Sequence, residues 1–189
     1  MLPTRKILTS ALLLVGGLFL NAEILSAQRI ENLPAWTQTA SACSPDDAAI
    51  SKYALFNADF SFNSFRVSDT GKNGAPIPIV VRCNVLNPVD KGNPVWNSLY
   101  VGYQDPDGTG LKYEVFVKLK RLSRTSGGVS TIATFSSDSI SNTARSEGLV
   151  TFSHNFDFVK NEYFVEIAIA RTDTLANPVV YMVRLEQSF

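Results

Sequence analysis

Few residues in this 189-residue chain belong to types that do chemistry, and their spacing limits what that chemistry can be. Asp105 and Asp107 flank Pro106 in the stretch DPDGTG, where two carboxylates meet a turn former. Calcium takes six to eight oxygen ligands, and a dedicated calcium loop alternates several acidic or amide ligands and closes with a bidentate Glu. Here the next Glu is Glu114, in the middle of a predicted strand. Pro106, Asp107 and Gly108 fit the corners of a turn with no ion present. DPDGTG is therefore expected to be a hairpin turn, with Asp105 and Asp107 as the alternative calcium candidate.

His154 is the only histidine, which excludes a multi-histidine zinc site. A Ser-His-Asp triad would have to use this residue, in FSHNFDF, and no G-x-S-x-G elbow supplies a serine. Neither nucleotide-binding glycine fingerprint is present. No catalytic residue is assigned and no cofactor is expected. A spatial pair of carboxylates, as in glycosidases, is invisible to sequence and leaves a secreted hydrolase as the alternative function.

Two groups of residues suit binding. Lys112, Lys118, Lys120, Arg121 and Arg124 crowd one stretch, opposed only by Glu114. They form either a patch for an acidic polymer or a lysine-protected sheet edge. Trp96, Tyr100 and Phe116 lie out of phase with the apolar residues of their strands. They are candidates for a sheet-face platform that stacks sugars.

The elements that position these residues follow a period of two. Ile77, Ile79, Val81, Cys83 and Val85 share a phase, as do Val95, Leu99, Val101 and Tyr103. Leu111, Tyr113, Val115, Val117 and Leu119 alternate with Lys112, Glu114, Lys118 and Lys120. Tyr163, Val165, Ile167 and Ile169 form another set, and Val179, Tyr181, Val183 and Leu185 the last. Such alternation sets one strand face on a core and the other in water. Fainter patterns cover Phe60 to Val67, Val129 to Phe135 and Leu149 to Phe158. GKNGAP, NPVDKGNP, RTSGG, SEG and ANP punctuate the runs as turn formers. About eight strands and no long helical period predict an all-β, single-domain antiparallel β-sandwich, jelly-roll-like or immunoglobulin-like. SPDD adds one helical turn, with Ser44 as its N-cap and Pro45 at the first helical position.

The N-terminus sets the compartment. Arg5 and Lys6 precede an apolar run of 14 residues, Ile7 to Leu20, and a small residue, Ala27, follows. Residues 1–27 read as a secretory signal peptide, too short in its apolar part for the roughly 20 residues that span a bilayer. An uncleaved anchor is the alternative, because Leu25 is bulky three places before the cut. Cleavage leaves 162 residues, one domain's worth, with no transmembrane span. Arg5, Lys6 and Glu23 depart with the signal, so 15 basic and 16 acidic residues remain, a formal net charge of −1. Near-neutral charge argues against nucleic acid as a partner, since phosphate neutralisation supplies most of that affinity.

Cys43 and Cys83, the only cysteines, allow a single pairing in an oxidising compartment and are expected to form a disulfide. Residues 28–42 read as a leader and 43–189 as the domain. The expected protein is a secreted, periplasmic or cell-surface module with a non-enzymatic binding or structural role. A glycan or cell-surface polymer is its expected partner.

Overall fold

The computed structural model describes residues 34–89 and 92–188. The predicted signal peptide and residues 28–33 of the predicted leader lie outside them. In chain order the strands begin with β1 (Trp36–Thr39), β2 (Ser44–Pro45), β3 (Tyr53–Phe56), β4 (Asp59–Phe62), β5 (Asp69–Thr70) and β6 (Pro76–Ile77). The longer ones follow: β7 (Ile79–Val85), β8 (Ser98–Gln104), β9 (Tyr113–Ser123), β10 (Val129–Ser136), β11 (Ser146–Thr151), β12 (Asn161–Arg171) and β13 (Val179–Glu186).

Two antiparallel sheets carry the fold. One runs β11-β8-β13-β4-β3, with β1 also paired to β13, and the other runs β10-β9-β12-β7-β2. Strands β5 and β6 form a small separate ribbon. Eight principal strands, β4 and β7 to β13, build the sandwich. Numbered one to eight along the chain, they lie in the orders 1-8-3-6 and 2-7-4-5. This is the jelly-roll arrangement, in which successive strands switch sheets. Of the connections among the principal strands, only β9–β10 is a hairpin; there Gly127 takes φ +68° and its N–H bonds Ser123 O at 2.8 Å. The sandwich expected from the sequence is present, and its topology is jelly-roll rather than immunoglobulin.

The alternating residues form its core. Val81 and Cys83 of β7, Leu99 and Val101 of β8, Val115, Val117 and Leu119 of β9, and Val165, Ile167 and Ile169 of β12 are all buried. Burying each such side chain contributes roughly 1.5–3 kcal/mol. The disulfide Cys43–Cys83 is formed, with Cα atoms 4.5 Å apart.

Several expectations need correction. DPDGTG turns the chain, but it is not a hairpin: β8 and β9 belong to different sheets, so the loop arches across the end of the sandwich. The predicted leader is part of the domain from Trp36 onward, because β1 pairs with β13 and Trp36 packs into the core. Ser44 caps no helix. Ser44 and Pro45 pair as an edge strand with β7, and a 3-10 turn follows at Asp47–Ala49. In β13 a bulge between Val180 and Met182 resets the alternation. Val180 takes the core position, while Tyr181 lies over Gly102 on the outer face, leaving no room there for a Cβ. SEG is not a turn but the start of β11. Gly148 is needed because the Phe135 ring packs against the position a Cβ would occupy.

Candidate functional site

The described parts of the β7–β8 connection (86–89 and 92–97) and the β11–β12 connection (152–160) lie over one end of the sandwich. They are joined by Phe152 N–H donating to Asn97 O at 2.8 Å. Asn97 is in turn fixed to the C-terminal strand. Its Nδ2 donates to Ser188 O at 3.0 Å, and its Oδ1 accepts from Ser188 N at 2.8 Å. Asp157 Oδ1 accepts the amides of Val159 and Lys160, which closes the second connection into a turn.

An aromatic cluster supports this end from below. Phe156 is 3% exposed and packs edge-on against Trp96, at a centroid distance of 5.1 Å, and against His154 at 5.0 Å. Tyr163 at the start of β12 lies 4.8 Å from Phe156. Trp96 donates its indole N–H to Pro34 O at 2.9 Å, so its polar group is satisfied inside the fold. Arrangements of this kind each contribute about 0.5–1.5 kcal/mol beyond their buried area.

Above the cluster the two connections enclose an open cleft of about 430 Å³, within the range of ligand pockets. Its floor is Trp96 and Phe156, and Asn93, Val95, Asn97, Phe152, Ser153, His154 and Asn155 form its walls. No carboxylate, lysine or arginine is among the described lining residues. His154 Nε2 sits 3.1 Å from the Tyr163 hydroxyl, which also accepts the Asp157 N–H at 2.9 Å. Burial lowers the His154 pKa below its ordinary value, and Arg121 lowers it further.

The residues singled out from sequence are scattered. Trp96 is 1% exposed and is not on a sheet face. Its outward phase was extrapolated from a strand that in fact begins at Ser98, beyond the bend in which Trp96 is buried. Tyr100 lies on the outer face of the six-stranded sheet, opposite Leu149 and Arg184. Phe116, Lys118 and Lys120 lie on the outer face of the other sheet. There Phe116 and Lys118 join Pro78, Val80, Glu166 and Ala168 around a shallow groove of about 150 Å³. Lys112 precedes β9 and sits 3.6 Å from Asp173. The six residues form no common site.

Nor is the basic stretch a patch of five free cations, since Lys112, Lys120 and Arg124 each face a carboxylate. Lys120 pairs with Glu166 at 2.6 Å, Arg124 with Glu162 at 2.5 Å, and Arg82 joins Asp46 and Glu166 beside them. Burial alone would raise the Glu166 carboxyl, but Lys120 and Arg82 together hold it below its usual range.

Asp105 and Asp107 hold the arch together. Asp107 accepts the amides of Lys112 at 3.0 Å and Tyr113 at 3.3 Å. Asp105 is fully buried and accepts from the Ser137 hydroxyl and, at 3.3 Å, from Asp107 N–H. Ser137 Oγ also accepts the Val115 amide at 3.0 Å, which ties the arch to β9. Burial pushes the Asp105 carboxyl up to about 6, against the pull of the Ser137 hydroxyl. Among the described residues, no group of three or more acidic, histidine or cysteine side chains is placed to hold a metal.

The cleft itself escaped the sequence reading. Its one signal was FSHNFDF, an aromatic-rich run with too few β-formers in sequence to make a clean strand.

No protein-family model matches the chain, and no curated protein matches it. Among solved structures it is similar to the CBM36-1 domain of a multidomain xylanase from the hindgut metagenome of Trinervitermes trinervoides. Identity there is 8% over 82% of this chain and 99% of that one, with a TM-score of 0.47. It is also similar to the insecticidal crystal protein Cry2Aa, at 12% identity over 82% of this chain and 22% of that one, with a TM-score of 0.41. A third similar structure holds the CBM22-1 and GH10 modules of Clostridium thermocellum xylanase 10B. Here identity is 13% over 77% of this chain and 28% of that one, with a TM-score of 0.36. The chain thus spans about a quarter of the latter two. No helix among the described residues is long and apolar enough to cross a membrane.

Proposed function

We propose that the protein is an exported, non-enzymatic module that recognises carbohydrate through the cleft between its β7–β8 and β11–β12 connections. The observation that carries this reading is the lining of the cleft. Aromatic rings, amides, a hydroxyl and an imidazole converge there on one open space, and among the described residues no carboxylate joins them. A sugar ring presents apolar C–H faces and a fringe of hydroxyls that both donate and accept. Apolar walls with a few placed polar groups suit such a ligand. Hydrolysis of a glycosidic bond would require two carboxyl groups about 5–10 Å apart across the bound sugar. The described lining of the cleft offers none, and the paired carboxylates of Asp105 and Asp107 are engaged in holding the arch.

Export is supported by the basic and apolar start of the chain and by the disulfide, which suits an oxidising compartment. The test is a glycan array probed with the domain from Gln28 to Phe189. Selective binding to a set of glycans is expected, and a blank array rejects the carbohydrate reading.

A further inference from the structure

Among the described residues His154 is the only titratable side chain that lines the cleft, and its contact with Tyr163 bears on which hydrogen it offers. The Tyr163 hydroxyl accepts the Asp157 amide at 2.9 Å. A phenol has a single hydrogen to donate. His154 Nε2, 3.1 Å away, is the acceptor within reach. With Tyr163 donating, Nε2 carries no proton, and the neutral ring must carry its proton on Nδ1. An imidazolium would put a second donor against the oxygen that already receives the Asp157 N–H.

The charged neighbours act in the same direction. Arg121, on β9, disfavours a cation on the ring, as does burial. Asp157 is the nearby carboxylate on the same connection. Its Oδ1 is held by the Val159 and Lys160 amides, and its Oδ2 faces Lys160 Nζ at 3.7 Å. Nδ1 itself bonds no described residue and is not among the sealed, unsatisfied polar atoms, so it is open to solvent on a residue that lines the cleft.

We propose that His154 offers its Nδ1–H as a fixed, uncharged donor to a saccharide oxygen, and that the cleft thereby selects neutral sugars over uronic, sialylated or sulfated ones. This specificity rests on the carbohydrate reading above. Half-buried Phe152 supplies an apolar face beside the imidazole, and exposed Ser153 and Asn155 supply hydrogen-bonding groups that adapt to hydroxyls. An anionic sugar would lose water around its charge and meet no cation among the described lining residues, an unfavourable exchange. Arg121 influences the ring but is not part of that lining.

Because the chain has one histidine, its ring nitrogens can be read without ambiguity in a long-range proton–nitrogen NMR spectrum. At neutral pH the ring is expected to be the Nδ1-protonated tautomer. Tyr163→Phe keeps the aromatic packing, and it should mix the two tautomers and raise the pKa of the ring. An Nε2-protonated ring or an imidazolium in the parent protein at neutral pH overturns the proposal. On the glycan array, neutral glycans should form the bound set. Binding confined to acidic glycans overturns this specificity and leaves the carbohydrate reading standing, whereas a blank array removes both. For a neutral glycan that binds, His154→Ala should weaken affinity about tenfold while the amide spectrum stays folded. Unchanged affinity would sink the assignment.

Discussion

Asp105 shows how a single buried side chain ties pH to stability. In the unfolded chain its carboxyl releases a proton near its ordinary value of 3.8, but in the fold it retains it to about 6. A raised folded pKa means the native state holds the proton more tightly. The stabilisation is therefore complete below pH 4 and is withdrawn as pH rises through 6. The cost of ionising Asp105 in place is on the order of 2–3 kcal/mol. Asp105→Asn removes the charge and keeps an oxygen for Ser137, so it should flatten the fall in stability between pH 4 and 7. Urea unfolding at both ends of that window measures it, and an undiminished fall in the variant would refute the assignment. The sequence identified Asp105 as a turn residue but not as a buried one, because DPDGTG reads the same whether it caps a hairpin or an arch. Arg171 was missed for a similar reason. It is 1% exposed at the end of β12, with its guanidinium bonded to the carbonyls of Asn63, Arg66 and Ala176 and to Asn177 Oδ1. Its partners lie mostly on backbone that sequence cannot bring together.

At the scale of elements, alternation was the readable signal. It located the cores of β7, β8, β9 and β12, including Cys83, whose inward phase put its sulfur where Cys43 could reach it. The pattern failed where the backbone departs from two-residue regularity: at the β13 bulge, and before Ser98, where Trp96 enters a bend. It also missed β1, whose four residues are too short a window for a period. The segment from β1 to β2 passes from one sheet to the other, and the disulfide pins it to β7 just before β2. Closing a loop with a sequence separation of 40 contributes about 4 kcal/mol in the chain-entropy model. Cys43→Ser should lower stability by up to that amount. Amide exchange should accelerate most between Trp36 and Pro45, while β9 and β12 keep their protection, since each is paired on both sides. Uniform loss of protection across both sheets would show that the bridge supports the whole sandwich rather than this crossing.

At the scale of the molecule, periodicity tells which face of a strand is buried but not which strand lies beside it. The class of fold was therefore legible and the jelly-roll order was not. That order decides where a ligand can sit. It gathers residues 93–97 and 152–156 at one end, over an aromatic floor, and it separates Tyr100 from Phe116 on opposite outer faces. A sheet-face platform was the natural expectation from sequence, because out-of-phase aromatics are visible in a strand and loop clefts are not. The central claim is that recognition happens at the loop end. It is tested most directly by titrating the nitrogen-15-labelled domain with a glycan that binds on the array and recording which backbone amides shift. The account predicts shifts concentrated at residues 93–97 and 152–156. Shifts centred on Phe116 and Lys118, or on Tyr100, with those two connections unmoved, would contradict it.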